Sequence, residues 1–233
     1  LKKYGIFMLS WLLSLACKGQ EFKSLTLPNE TNLLYIIDST QTTLGEPKNL
    51  VIALHWGWNR SAPLTNSHVK GFHENFTVPS VVLKNTIRVS IKCPYNGWDN
   101  EYSIMAIDEL LNHLILNYNV NESAMALIGY SAGGIGCWYY LQQSPNNIFK
   151  LVVPIAARPP TTTINLETQS IQIVHGSNDD YFDIKKVRKF YSELKIFNEF
   201  SNLTVVPGAG HMTVSGYAPR VKNILSTLKY KYQ

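Results

Sequence analysis

The sequence predicts an α/β chain built on a doubly wound, mostly parallel sheet. Three observations carry that expectation. Apolar runs of strand length alternate with stretches of helical periodicity along the chain. The run Leu50–Leu54 (LVIAL) is apolar without alternation, as in a strand covered on both faces. Several strand-length runs end in short segments rich in Gly and polar residues. In open parallel sheets, ligands sit at the carboxyl ends of the strands.

The elements follow in order. Phe22–Leu27 and Leu33–Asp38 read as two strands joined by the Pro28-Asn29-Glu30 turn. Leu50–Leu54 and Thr86–Ile91 are strands. Ile104, Ile107, Leu111, Leu114, Ile115 and Tyr118 recur at helical spacing, so Tyr102–Tyr118 is an amphipathic helix. Ala124–Gly129 is a strand, and Gly133–Gln143 is a helix stopped near Pro145. Leu151–Ile155 and Ile171–Val174 are strands. Ile184–Phe197 is a helix with Asp183 as its N-cap. Leu203–Val206 is the last strand, and a helical segment closes the chain. No linker and no internal repeat interrupts this order, so residues 20–233 are expected to form one domain.

Composition narrows the function classes. The chain has 233 residues, 45% of them hydrophobic and 16% charged, enough to bury a core. Its net charge of +5 is partly local. Lys2, Lys3 and Lys18 lie in the first 19 residues, and without them 18 basic residues face 16 acidic ones. No basic stripe with interleaved aromatics marks a nucleic-acid surface. The histidines are scattered and no Cys-x-x-Cys occurs, so no metal site is expected. No Gly-rich phosphate loop with a Lys is present either.

Residues 1–19 read as an export signal. Lys2 and Lys3 precede an apolar run from Tyr4 to Ala16, too short to span a bilayer. Two processing routes compete. Ser14-Leu15-Ala16-Cys17 resembles a lipobox, which makes Cys17 a lipid anchor; cleavage after Gly19 leaves Gln20 first. Either route sends the chain out of a cytoplasm, to a periplasmic, extracellular or outer-membrane site. No other stretch is apolar enough to be a transmembrane span. Cys93 and Cys137 are read as free and buried. Sequons occur at Asn29, Asn59, Asn75, Asn121 and Asn202, and a glycan on Asn59 would crowd the site described next.

The chemistry concentrates in three loops. Gly129-Tyr130-Ser131-Ala132-Gly133 fits G-x-S-x-G between an apolar strand and a helix. A serine held in so sharp a turn needs small residues two positions to either side, and Gly129 and Gly133 supply them. His175-Gly176-Ser177-Asn178-Asp179 follows a strand and offers Asp179 to orient a histidine; Asp180 is the rival. Gly208-Ala209-Gly210-His211 follows the last strand and offers His211 as the base. His175 reads as structural, and His68, His73 and His113 as surface residues. An oxyanion needs two donors. The N–H of Ala132 is one. The other comes from His55-Trp56-Gly57-Trp58, with Gly57 preferred and Trp56 the alternative. Trp56, Trp58, Trp98 and Tyr130 are the expected substrate-binding side chains, with the tryptophans at the rim.

These residues resemble the α/β-hydrolase superfamily. The closer likeness is to small secreted esterases of the dienelactone-hydrolase, feruloyl-esterase and polyhydroxybutyrate-depolymerase type. It runs from about Leu33 to Arg220, through ALHWGWN, GYSAGGIG, VVPIAARP, HGSNDD and GAGHM. The order Ser, Asp, His is that of this fold. The resemblance implies a Ser-His-Asp hydrolase without a cofactor, acting on a small-molecule or polymer-borne ester. Two departures stand out. The family's usual His-Gly before the oxyanion residue is His55-Trp56 here, and no segment is long enough for a separate lid domain. A serine peptidase of prolyl-oligopeptidase type and a non-catalytic binding protein are the rival readings.

Overall fold

In a computed structural model of the chain, residues 22–57, 64–144, 148–161 and 169–228 are described. The proposed export signal with Cys17, and Trp58 and Asn59, lie outside these residues.

The strands β1 (Phe22–Thr26) and β2 (Asn32–Asp38) pair antiparallel. Their turn closes with the Glu30 N–H on the Leu27 carbonyl, 2.9 Å, and Glu30 takes a left-handed φ of 63°. Then come β3 (Lys48–Leu54), β4 (Thr86–Ile91), β5 (Val120–Tyr130), β6 (Leu151–Ile155), β7 (Ser170–Gly176) and β8 (Asn202–Val206). They form one eight-stranded sheet in the order β1-β2-β4-β3-β5-β6-β7-β8. From β4 to β8 every neighbouring pair is parallel.

Both faces of the sheet are covered. Alternate side chains of β3 point opposite ways, as the pleat requires. Leu50, Ile52 and Leu54 join the layer of α3 (Glu101–Tyr118), α4 (Ala132–Gln143) and α5 (Ile184–Phe197). Val51 and Ala53 join the layer holding Phe72, Phe76 and α6 (Val214–Leu225). The continuous apolar run is therefore a consequence of burial on two sides. Caps fix where the helices start. The Asn100 side chain accepts from the Ser103 N–H at 3.0 Å, and Asp183 from the Lys185 N–H at 2.8 Å.

One region departs from the sequence reading. Beyond β3 the chain coils as α1 (Asn66–Phe72), a π-helical turn (His73–Thr77) and the short α2 (Val78–Ser80). Phe72 and Phe76 stack at 5.4 Å under the sheet. This carries His73 inward. It is fully buried, not a surface residue, with Nδ1 2.8 Å from the Ser90 hydroxyl. Burial pushes its imidazole down to about 4. Nearby, Arg88 and Asp38 pair at 2.7 Å across β4 and β2. Burial alone raises the Asp38 carboxyl, but hydrogen bonds from Thr40 and the Arg88 charge outweigh it and hold the group below its ordinary range.

Among the described residues there is no separate lid domain, and no helix is long and apolar enough to cross a membrane. No group of three or more potential metal ligands occurs among them. Cys93 and Cys137 are free and buried.

Candidate active site

Ser131 stands where β5 turns sharply into α4. Its backbone has φ 55° and ψ −114°, a region that costs a non-glycine residue about 1–3 kcal/mol. The surroundings hold it there. The Ser131 N–H donates to the Ile155 carbonyl on β6 at 2.8 Å. The flanking glycines permit the close approach. A Cβ on Gly129 would lie 2.1 Å from the Gly133 carbonyl oxygen, and one on Gly133 would lie 2.1 Å from that of Leu54. Serine is a favoured N-cap, yet this hydroxyl makes no cap hydrogen bond to α4. It lies instead 2.8 Å from Nε2 of His211.

His211 arrives from the loop after β8. Its Nδ1 lies 2.9 Å from Oδ2 and 3.2 Å from Oδ1 of Asp179. A carboxylate only accepts, so Nδ1 carries the proton and Nε2 presents its lone pair to the Ser131 hydroxyl. Asp179 is buried, and its Oδ1 also accepts the N–H groups of Tyr181 and Phe182 at 2.9 and 2.8 Å. These bonds fix the carboxylate's orientation. Asp180 is exposed on the same loop. Three loops, after β5, β7 and β8, thus deliver Ser131, Asp179 and His211 to one chain of hydrogen bonds.

The floor beneath is built of tyrosines. The Tyr130 hydroxyl donates to the His211 carbonyl, and that of Tyr217 to the Gly210 carbonyl at 3.0 Å. Burial raises both phenols, Tyr217 to about 12. Gly176 lets this loop come close, since a Cβ there would meet the Ala209 carbonyl oxygen at 2.2 Å. Tyr130 is therefore not a substrate-facing side chain. As the last residue of β5 it points into the α6 layer, and it is 1% exposed.

The turn that follows β3 is pinned by His55. Its Nδ1 lies 2.7 Å from the Trp56 carbonyl, and its Nε2 accepts the Cys93 N–H at 3.0 Å. These partners require the neutral ring with the proton on Nδ1. Burial holds the imidazole down at about 4. Because the peptide is planar and trans, fixing the Trp56 carbonyl on His55 turns the Gly57 N–H the opposite way. Gly57 has φ +80°, which suits glycine. Trp56 is half-buried, its ring edge-on to Phe72 and Tyr130 at 4.9 and 5.6 Å. Trp98 is not a rim residue. It is 2% exposed, donates its indole N–H to the His55 carbonyl at 3.0 Å, and packs against Gly136.

The exposed aromatic beside Ser131, His211 and Asp179 is one the sequence did not reveal. Tyr181 lies over the His211 ring, centroids 4.5 Å apart and 26° between planes, and is 67% exposed. Only the turn held by Asp179 puts it there. His175 is fully buried in β7, Nε2 donating to the Phe182 carbonyl at 2.8 Å, and burial lowers its imidazole.

No protein-family model and no curated protein matches the sequence. Solved structures do resemble the fold. A thermostable esterase superposes with a TM-score of 0.69 at 17% identity, over 91% of this chain and 60% of that one. This chain thus spans less than two thirds of that esterase. Esterase 2 of Thermogutta terrifontis, phosphonylated by cyclosarin, gives 0.68 at 12% identity, over 92% of this chain and 96% of that one. Oligopeptidase B of Leishmania major gives 0.63 at 12%, over 92% of this chain and 36% of that one. The strand order, the parallel crossovers and these likenesses together give the chain the α/β-hydrolase fold.

Proposed function

We propose that the chain is an exported serine hydrolase that cleaves carboxylic esters through an acyl-enzyme. The observation that carries the reading is the unbroken relay from the Ser131 hydroxyl through His211 to Asp179, at 2.8 and 2.9 Å. In this reading Ser131 Oγ attacks the ester carbonyl as Nε2 of His211 takes its proton. Asp179 keeps the tautomer and offsets the imidazolium charge. The N–H groups of Ala132 and Gly57 receive the tetrahedral oxyanion, each worth about 2.7–4 kcal/mol. His211 then returns the proton to the departing alcohol. Water, activated by the same histidine, releases the acid.

Export rests on the Lys2-Lys3 and apolar pattern of residues 1–19. A fluorophosphonate probe tests the chemistry. It should label the wild type and leave Ser131→Ala unlabelled, with p-nitrophenyl ester turnover lost in parallel. Equal labelling of both removes Ser131 from the reaction.

The likeness to the oligopeptidase keeps peptide bonds as a second reading. Ester preference predicts p-nitrophenyl acetate turnover far above that of peptide anilides. The reverse ranking selects the peptidase.

A further inference from the structure

Past β6 the chain runs Arg158-Pro159-Pro160-Thr161, and this short wall borders two cavities. The smaller, about 170 Å³, is closed on the other side by α4 through Ile135, Trp138 and Tyr139. It begins one helical turn from the nucleophile, because the Ile135 N–H donates to the Ser131 carbonyl at 3.0 Å. The larger, about 400 Å³, is closed by α5 through Lys186, Lys189 and Phe190. Arg158 lines both. Trp138 and Phe190 meet edge to face at 5.2 Å between them and make an apolar floor.

The charge here has a sign. Arg158, Lys186 and Lys189 face the cavities, against Asp99 in the smaller and Glu193 in the larger. Glu193 sits a turn farther along α5, away from the sheet's carboxyl edge. After its N-cap Asp183, the charged residues at the start of α5 are all cationic: Lys185, Lys186, Arg188 and Lys189. Cations at a helix start oppose its dipole, so helix stability does not explain them. Cations over an apolar floor focus a positive potential into the cleft.

We propose that this cleft is a subsite for a carboxylate carried by the ester substrate, as on a uronic-acid or dicarboxylic-acid ester. The proposal rests on the serine-hydrolase reading and names its substrate class. Arg158 and the two lysines bind the carboxylate while the ester reaches Ser131 along the α4 side.

The test uses two matched pairs of esters. Mono-p-nitrophenyl glutarate against p-nitrophenyl pentanoate places the charge on the acyl side. The ester m-acetoxybenzoate against m-acetoxybenzamide places it on the alcohol side. Wild type, Arg158→Ala and the Lys186→Ala/Lys189→Ala double variant are compared by kcat/KM. In at least one pair the variants should lose about tenfold on the carboxylate ester and less than about twofold on the neutral one. Salt at about 0.5 M should shrink the wild-type ratio toward that of the variants. Equal losses on charged and neutral esters, or no loss in either pair, overturn the subsite and leave the hydrolase intact. A folded wild type that turns over none of the four esters overturns the hydrolase reading and the subsite with it.

Discussion

Asp179 and Asp180 are adjacent and chemically identical, yet their environments separate them. Asp179 is buried and accepts from His211, Tyr181 and Phe182, while Asp180 faces solvent. Asp179→Asn should therefore cost orders of magnitude in kcat, toward the ~10⁴ seen when another triad loses its carboxylate. Asp180→Asn should stay within about tenfold. Measuring kcat for both on one soluble ester decides the assignment, and a worse-damaged Asp180→Asn reverses it. Tyr181 makes a second residue-scale expectation. An aromatic stack is worth about 0.5–1.5 kcal/mol, so Tyr181→Ala should lower kcat roughly 2- to 12-fold while Tyr181→Phe stays near wild type. An unchanged Tyr181→Ala shows that the stack contributes nothing to turnover. The serine, the aspartate and the histidine could be read from the sequence because each sits in a short Gly-containing loop after an apolar run. Tyr181 could not, because its place depends on a turn organised by a side chain two residues earlier. Trp98 misled for a related reason: an indole N–H that satisfies a buried carbonyl belongs inside, and no local pattern shows which carbonyl that is.

At the scale of elements, strands and capped helices were legible, since unbroken apolar runs and caps such as Asp183 are local signals. The coil over residues 66–80 was not. Its buried apolar side chains, Val69, Phe72 and Phe76, are few, and its course changes pitch at the π-helical turn, so no single period shows. The elbow between β5 and α4 yields a sharp expectation. Gly133→Ala forces a Cβ to 2.1 Å from the Leu54 carbonyl oxygen, against backbone that cannot rotate away. It should cost at least about 1–3 kcal/mol and lower Tm accordingly. Gly45→Ala is the control. It has open space around it and only a left-handed φ of 83° to oppose it, so its cost should be about 1 kcal/mol. Thermal melts of the two variants measure the difference, and equal melting temperatures contradict the packing argument.

Across the whole molecule, buried neutral histidines set the response to acid. His55 and His73 sit at about 4 in the fold, against an unfolded value near 6.5. Between those values the unfolded chain binds more protons than the native one. Stability is thus full above about pH 6.5 and falls as pH drops toward 4. For His55 alone the loss is on the order of 3 kcal/mol. Urea midpoints measured from pH 7.5 down to 4.5 should fall steadily, and a flat profile shows that these rings do not resist protonation.

The placement of β8 has a consequence for how the protein fails. Among the described residues β8 is the last strand of the sheet, hydrogen-bonded on one side only, to β7, and half-exposed along most of its length. The loop after it carries His211, whereas Ser131 follows β5, which lies inside the sheet and is buried from Ala124 to Tyr130. His211 therefore hangs from the margin of the sheet and Ser131 from its centre. Edges open more readily than interiors. In rising urea, ester turnover should be lost before the far-UV helix signal, and amides of β8 should exchange ahead of those of β5. Inactivation that coincides with global unfolding would mean that the margin is as firmly held as the middle.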